Sequence, residues 1–388
     1  MPPTNPGSPG ELLRLIRTGR ARSRSELVTL TGASRSTVSA RVEQLIASRL
    51  VHETGAGDST GGRPPKLLAF NHSAGVVVAV DTGATSVDVA ITDLGAQILS
   101  SRGHEMDIGE GPERVLAEVN RLALEQLAEL GKAPADVRAV GIGVPGPVEF
   151  ATGRPIHPPI MPGWHGYPVP AAFERFACPV YVDNDVNVMA AGELGSRGGG
   201  DENFLLVKVG TGIGCGIVVE GRVYRGTQGC AGDIGHIHVP DERHVVCRCG
   251  NDNCLEAFAG GSALARDAAE LGLPVKEPRD LVELALRGDP RAQDLVRNAG
   301  RRIGGVLAAL VNFFNPSRIV LAGGVAHAGA PLLAGIREVV YRRSLPLAAR
   351  SLDVVVSEHG DLDGRLGAAI MAIEAQFAEE RVDRELAG

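Results

Sequence analysis

VVVAVDTGATSVDVAITD, residues 76 to 93, sets two apolar runs on either side of the small residues Thr82, Gly83, Ala84 and Thr85. The pattern reads as strand, tight turn, strand, with Asp81 closing the first strand. A turn of small residues leaves its N–H groups available to cradle a phosphate. The pattern returns in VKVGTGIGCGIVV, residues 207 to 219, where Gly210, Thr211, Gly212 and Gly214 stand between apolar strands. A third glycine pair, Gly323–Gly324, follows the strand RIVLA of residues 318 to 322. One such turn is a weak signal, but two with a later glycine pair point to an α/β protein with phosphate loops.

The chain around these turns has 388 residues, 44% of them hydrophobic, which allows buried cores in two or three domains. The opening MPPTNPGSPG has no apolar signal region, and the longest apolar runs are broken by Gly, Asp or Arg before they reach bilayer-spanning length. The expectation is a cytoplasmic protein without a membrane partner, in which thiols stay reduced. The net charge of −7 divides unevenly: residues 1–70 hold 10 Lys+Arg against 5 Asp+Glu, and residues 71–388 hold 29 against 41. The two parts are therefore expected to face different partners.

The basic part, residues 1–70, reads as a winged helix-turn-helix domain. ELLRLIRTG, SRSELVTLTG and SRSTVSARVEQLIASRL have helical periodicity, and Gly19 and Gly32 close the first two. Gly32 suits a tight turn and Ser34 an N-cap for the third helix. On that helix Val38, Val42, Leu45 and Ile46 form an apolar face, which leaves Arg35, Ser36, Thr37, Ser39 and Arg41 for the major groove. LVHE and PKLLAF read as two strands joined by a glycine-rich wing, from which Arg63 would reach an adjacent minor groove.

CRCGNDNCLE, residues 247 to 256, places three of the six cysteines within eight residues. In a reducing compartment such a cluster reads as a metal site, whereas Cys178, Cys215 and Cys230 read as ordinary buried thiols. Three thiolates leave tetrahedral zinc one ligand short, and His236, His238 and His244 are all candidates. Spacing does not choose among them.

The two phosphate turns and the later glycine pair resemble the actin-like ATPase sugar kinases, in which two α/β lobes of ribonuclease H type close over nucleotide and substrate. GVPGPV, PVYVDNDVNVMAAGELG, GDIGH and CRCGNDNCLE occur in that order and together resemble the ROK family of repressors and sugar kinases, over residues 76 to about 375. The resemblance implies a kinase-like domain over 71–388: a smaller lobe of about 76–190 plus the C-terminal helix, and a larger lobe of about 191–365 with the metal loop. It implies nucleotide contacts at Asp81, Gly83, Thr85, Gly210, Thr211, Gly212, Gly214, Gly323 and Gly324. Sugar contacts fall on Asn184, Asp185, Asp233, His236 and Glu256, with Asp185 as general base if the protein is a kinase. It also selects His236 as the fourth ligand of a structural zinc with Cys247, Cys249 and Cys254.

The chain departs from the kinase pattern at three sugar or phosphate positions. Asp233 stands where kinases have glutamate, Ala84 where they usually have a second glycine, and Ser86 where many have lysine. IMPGWHGYPV also lacks an asparagine often seen there, which leaves the sugar open. The N-terminal domain resembles the extension carried by the family's repressors. The expected function is therefore a sugar-responsive repressor, a homodimer or dimer of dimers whose partners are operator DNA and a sugar or sugar derivative. The alternative is an ATP-dependent sugar kinase of glucokinase or N-acetylhexosamine kinase type, which would use ATP and Mg2+.

Overall fold

The structure, a computed structural model, describes residues 6–56, 66–196, 203–360 and 362–387. Three helices open it: α1 (Pro9–Arg17), α2 (Arg24–Thr31) and α3 (Arg35–Ala47). Each has a serine cap, Ser8, Ser23 and Ser34, whose hydroxyl accepts an N–H that the helix itself cannot satisfy. Gly32 ends α2 with φ of 70°. The wing strands β1 (Val51–Ala56) and β2 (Lys66–Phe70) pair antiparallel, Val51 opposite Phe70. Arg24 of α2 ties α3 to β1 by holding Glu43 at 2.7 Å and Glu53 at 2.8 Å. Arg63 lies outside the described residues. Val38, Val42 and Leu45 are buried as expected, while Ile46 is only half-buried.

Two five-stranded sheets follow, and both have one plan. In the first, β3 (Val76–Thr82), β4 (Ser86–Asp93) and β5 (Ile98–Glu105) form an antiparallel meander, and β6 (Val137–Val144) and β9 (Val180–Asn184) add parallel strands beside β3. A short hairpin, β7 (Val148–Glu149) with β8 (Arg154–Pro155), lies between them in sequence. In the second sheet, β10 (Phe204–Val209), β11 (Ile213–Val219) and β12 (Arg222–Val223) form the meander, and β13 (Arg318–Ala322) and β14 (Asp353–Val356) run parallel to β10. Each quoted phosphate turn is the first hairpin of its sheet.

Helices α4 (Pro112–Glu129) and α5 (Asp185–Ser196) belong to the first unit, and α6 (Glu256–Ala259), α7 (Gly261–Glu270), α8 (Pro278–Leu286), α9 (Pro290–Phe314), α10 (Ala330–Arg343) and α11 (Pro346–Ala349) to the second. No described helix is long and apolar enough to cross a membrane.

The chain then returns to the first unit through α12 (Leu362–Gln376) and α13 (Glu379–Ala387). Close approach is possible because small residues line the contact. A Cβ at Gly141 would lie 2.1 Å from the Ala368 carbonyl oxygen, and one at Gly367 would lie 1.8 Å from that of Val188. At its far end α12 meets the N-terminal helices. Leu12, Leu13, Ile16, Leu27, Val38 and Phe70 share one core with Ile373, Phe377 and Val382. Arg17 makes two 2.7 Å bonds to Glu374, Arg14 pairs with Glu379, and Asp383 accepts the Gly10 N–H at 2.7 Å. The helix-turn-helix head is thus packed on the C-terminal helices.

Gly10 tests this docking, because an added Cβ would lie 2.4 Å from the Glu379 carbonyl oxygen. Gly10→Ala is expected to cost about 1–3 kcal/mol by overpacking and to lower the melting temperature. An unchanged melting temperature would contradict the packing described.

Candidate functional site

The elements that carry the expected sugar residues meet around β11. Its sequence IGCGIVV keeps glycine at alternate positions, and each glycine admits another element. A Cβ at Gly216 would lie 2.6 Å from both the Val186 carbonyl oxygen and the Ala190 Cβ of α5, and one at Gly214 would lie 3.0 Å from Val186. Gly232 packs on the Cys215 carbonyl and Gly235 on that of Ile213, where Cβ atoms would come within 1.7 and 2.2 Å. Glu256 of α6 accepts the Ile213 N–H at 3.1 Å, in space that a Cβ on Gly212 would fill. The α5 start, the 232–236 turn and Glu256 are thereby held on one strand.

Asn184 caps α5. Its Oδ1 accepts the Val186 N–H at 3.1 Å, and its Nδ2 donates to the Gly146 carbonyl at 3.0 Å. Asp185 and Asp183 flank it, both nearly enclosed, and each takes a cation from the opposite lobe. Asp185 Oδ2 lies 2.5 Å from Lys208 Nζ on β10. Asp183 lies 2.6 Å from Arg225, whose guanidinium also covers the Phe150 ring at 4.1 Å. The sequence reading passed over Lys208, Arg225, Asp183 and Phe150. The available signal for Lys208 was one of only four lysines in the chain, placed just before GTGIG.

The second glycine loop and the Gly323–Gly324 pair meet at Lys208. Gly323, with φ of 86°, brings its Cα where a Cβ would meet the Val209 carbonyl at 2.8 Å and Lys208 Cγ at 3.0 Å. The Gly210 and Thr211 carbonyls accept the N–H groups of Gly261 and Ser262. In the first loop Gly83 N–H bonds the Ser86 carbonyl, while the Ala84 and Thr85 carbonyls accept from Ile108 and Met106. Space beside Gly324 is open, with no atom within 4 Å of where its Cβ would be. Asp81 is half-buried, yet its Oδ1 is enclosed and bonds no protein atom. Such an orphaned carboxylate oxygen, close to glycine loops, fits the donor set of a nucleotide-bound Mg2+.

The four sequence-assigned metal ligands also come together. One atom each from His236, Cys247, Cys249 and Cys254 lies within 4.8 Å of all the others. Cys249 Sγ and Cys254 Sγ are 3.7 Å apart, and Cys247 Sγ is 3.6 Å from His236 Nδ1. Tetrahedral zinc with ordinary bond lengths has edges of roughly 3.8 Å between sulfurs and roughly 3.6 Å from sulfur to nitrogen. The residues therefore fit such an ion. His236 sits on a single 3-10 turn, Ile234–His236, and His238 beyond it is exposed. His244 pairs with Asp252 at 3.0 Å. His236 Nε2 faces Asp233 at 3.8 Å, so a metal held through Nδ1 would leave Nε2 turned toward Asp233. Of the remaining thiols, Cys215 is buried, Cys178 half-buried and Cys230 exposed.

On the head, Arg35, Ser36, Thr37 and Ser39 are exposed at the start of α3. The Ser36 and Thr37 hydroxyls both lie 2.8 Å from Ser34 Oγ, and the half-buried Arg41 donates to Gln44 at 3.1 Å.

Burial pushes the Asp81 carboxyl up to about 6, with Lys208 opposing the shift. The folded chain then holds a proton that the unfolded chain has released, so this group's contribution to stability falls between about pH 4 and about pH 6 and is level above. In buffer free of Mg2+ and nucleotide, Asp81→Asn should melt above the parent at pH 8 and match it at pH 4. Parallel melting curves at both pH values would contradict the assignment.

Comparison with known proteins places these features. The ROK family profile matches residues 77–375. A xylose repressor of Caldicellulosiruptor bescii is 29% identical over 382 residues, which cover 93% of this chain and 94% of the repressor. A crystal structure of a ROK family transcriptional regulator, a homolog of the E. coli MLC protein, superposes with a TM-score of 0.81 at 25% identity, covering 97% of this chain and 98% of that one. A ROK glucokinase from Streptomyces griseus, solved with glucose and AMPPNP, gives a TM-score of 0.67 at 30% identity; 99% of it is covered by 77% of this chain. The regulators cover nearly the whole chain, whereas almost all of the kinase is matched by 77% of it. The fold is the actin-like, two-lobed fold of the ROK sugar kinases with an N-terminal domain added, and the chain belongs to the ROK family, among its transcriptional regulators.

Proposed function

We propose that this regulator is a repressor of carbohydrate genes that binds operator DNA through α3 and the wing and releases it when a sugar enters the cleft beside β11. The observation that carries the reading is the match of repressors along both head and cleft, where a kinase matches the cleft alone. Exposed Arg35, Ser36, Thr37 and Ser39, with Arg41, are the groups proposed for base edges, and Arg63 for the minor groove. A homodimer would present two such helices to half-sites about one helical turn, or a multiple, apart.

Asn184, Asp185, Asp233, His236 and Glu256 are proposed to hold the sugar hydroxyls. Xylose is the first candidate, since similar repressors carry that name. Asp185 would exchange part of its Lys208 pairing for sugar hydrogen bonds, and the α5 start would shift with it. Because α5 packs on α12, and α12 on the head, a change at the cleft has a contiguous route to α3. Zinc on His236, Cys247, Cys249 and Cys254 is proposed to be structural: four protein ligands leave no position for water. It would fix the loop that ends in Glu256.

The kinase alternative is favoured by one observation, the orphaned Asp81 oxygen beside the phosphate loops. If the chain retains that activity, Asp81, Gly83, Thr85, Gly210, Thr211, Gly212, Gly214, Gly323 and Gly324 would hold ATP and Mg2+. The nucleotide would supply the transferable phosphoryl group. Asp185 would take the hydroxyl proton only after release from Lys208, so steady ATP consumption across a hexose and pentose panel is the sign of this reading.

Protein purified without added metal should carry about one zinc per chain, and Cys249→Ser should lose most of it together with sugar response. A metal-free preparation that still responds to sugar would remove the zinc proposal. For the repressor reading, xylose or another sugar of the panel should weaken operator binding by about 5- to 150-fold in fluorescence anisotropy, and Asp185→Asn should bind operator but ignore the sugar. Unchanged operator affinity with every sugar would contradict it, as would equal retention by a chain lacking residues 1–70.

A further inference from the structure

Behind the wall that carries Glu256 lies a cavity of about 390 Å³ that none of the sugar, nucleotide or metal residues lines. Its floor is apolar, made by Phe258 of α6, Leu264 of α7, and Leu295 and Ala299 of α9. Its rim carries three arginines, Arg243, Arg301 and Arg302, against one carboxylate, Asp267, together with Asn298. Two of these guanidiniums lie over the Phe258 ring, Arg302 at 4.8 Å and Arg243 at 5.1 Å from its centroid.

The rim is held in place by ion pairs. Asp241 meets Arg302 at 2.5 Å and Arg243 at 3.3 Å, Asp267 meets Arg243 and Arg266, and Glu338 meets Arg297 and Arg301. Five arginines thus share three carboxylates, a surplus of two positive charges in a part of the chain whose balance is −12. The carboxylates lock the guanidiniums in position without using all of their donors. Arg301 donates through Nε to Glu338 and through Nη1 to Asn298, which leaves Nη2 without a protein hydrogen bond among the described residues. Fixed guanidinium donors above a hydrophobic floor recognise an oxyanion carried on an apolar body. The volume is in the range of small-ligand sites.

We propose that this cavity binds a small organic anion, a carboxylate or phosphate monoester on an apolar or aromatic body, at a site separate from the sugar cleft. The anion sits against Arg301 and Arg302, and its body lies against Leu295, beside the guanidiniums that cover Phe258. The site lies on the helix that carries Glu256, two residues from it, but its occupancy does not depend on the sugar assignment.

The probe is phenyl phosphate, titrated into the full chain by saturation-transfer NMR and calorimetry, with benzyl alcohol as the uncharged control. Binding of one phenyl phosphate per chain is expected, at least about 10-fold tighter than the alcohol. Arg302→Gln should weaken it by about 10-fold. Asn298→Asp is the second variant: its carboxylate keeps the bond to Arg301 and every arginine pair, yet adds negative charge at the rim, so it should weaken the phosphate and leave the fold intact. No saturation below about 10 mM, equal binding of the alcohol, or unchanged affinity in Asn298→Asp would each overturn the proposal.

Discussion

The site depends on how closely other elements can approach the backbone of β11. A strand with side chains at every position would hold α5, the 232–236 turn and α6 several ångströms away. With glycine at 212, 214 and 216, and glycines 232 and 235 facing back at it, those elements rest on its carbonyl and N–H groups. Asn184, Asp185, His236 and Glu256 come from three separate segments, and β11 is what they share. Glycine in a strand interior costs conformational entropy and packing, and here that cost is offset by the convergence it permits.

Onto this frame the two lobes add charge. Asp183 and Asp185 are almost fully enclosed, and a buried carboxylate is tolerable only when paired. Their partners, Arg225 and Lys208, come from the other lobe. Separation of the lobes would strand both carboxylates, so the pairs favour the closed arrangement in the absence of ligand. A sugar that supplied hydroxyl donors to Asp185 would change the terms of that closure. In the proposed regulator the same pairing would make Asp185, as an ion-paired carboxylate, responsive to hydrogen-bond donors.

Much of this was legible in the sequence, for reasons that are local. Strand-turn-strand patterns, serine caps and Gly32 act through near neighbours, so the first hairpin of each sheet and the three N-terminal helices could be read directly. The thiol spacing pointed to the cluster that the fold assembles, although the choice of His236 came from family resemblance and not from spacing. What escaped depends on distance along the chain. Lys208 and Asp185 are 23 residues apart and Arg225 and Asp183 are 42 apart, so no periodicity joins them. Nor did the sequence reveal that Arg17 would pair with Glu374, or that the core of the head would continue into Ile373 and Phe377. Gly214 of IGCGI reads in the sequence as a phosphate-loop residue, and the packing that it and Gly216 also give against α5 is not visible there.

The central claim is that cleft and head share one equilibrium, carried by α5, α12 and the C-terminal contacts. Linkage then requires that operator DNA alter sugar affinity by the same factor by which sugar alters operator affinity. The most direct measurement is the sugar dissociation constant of the full chain, free and saturated with operator, at one salt concentration. The account predicts that operator-bound protein binds the sugar more weakly, by the factor seen for DNA release. Equal sugar affinity in the two states would contradict it.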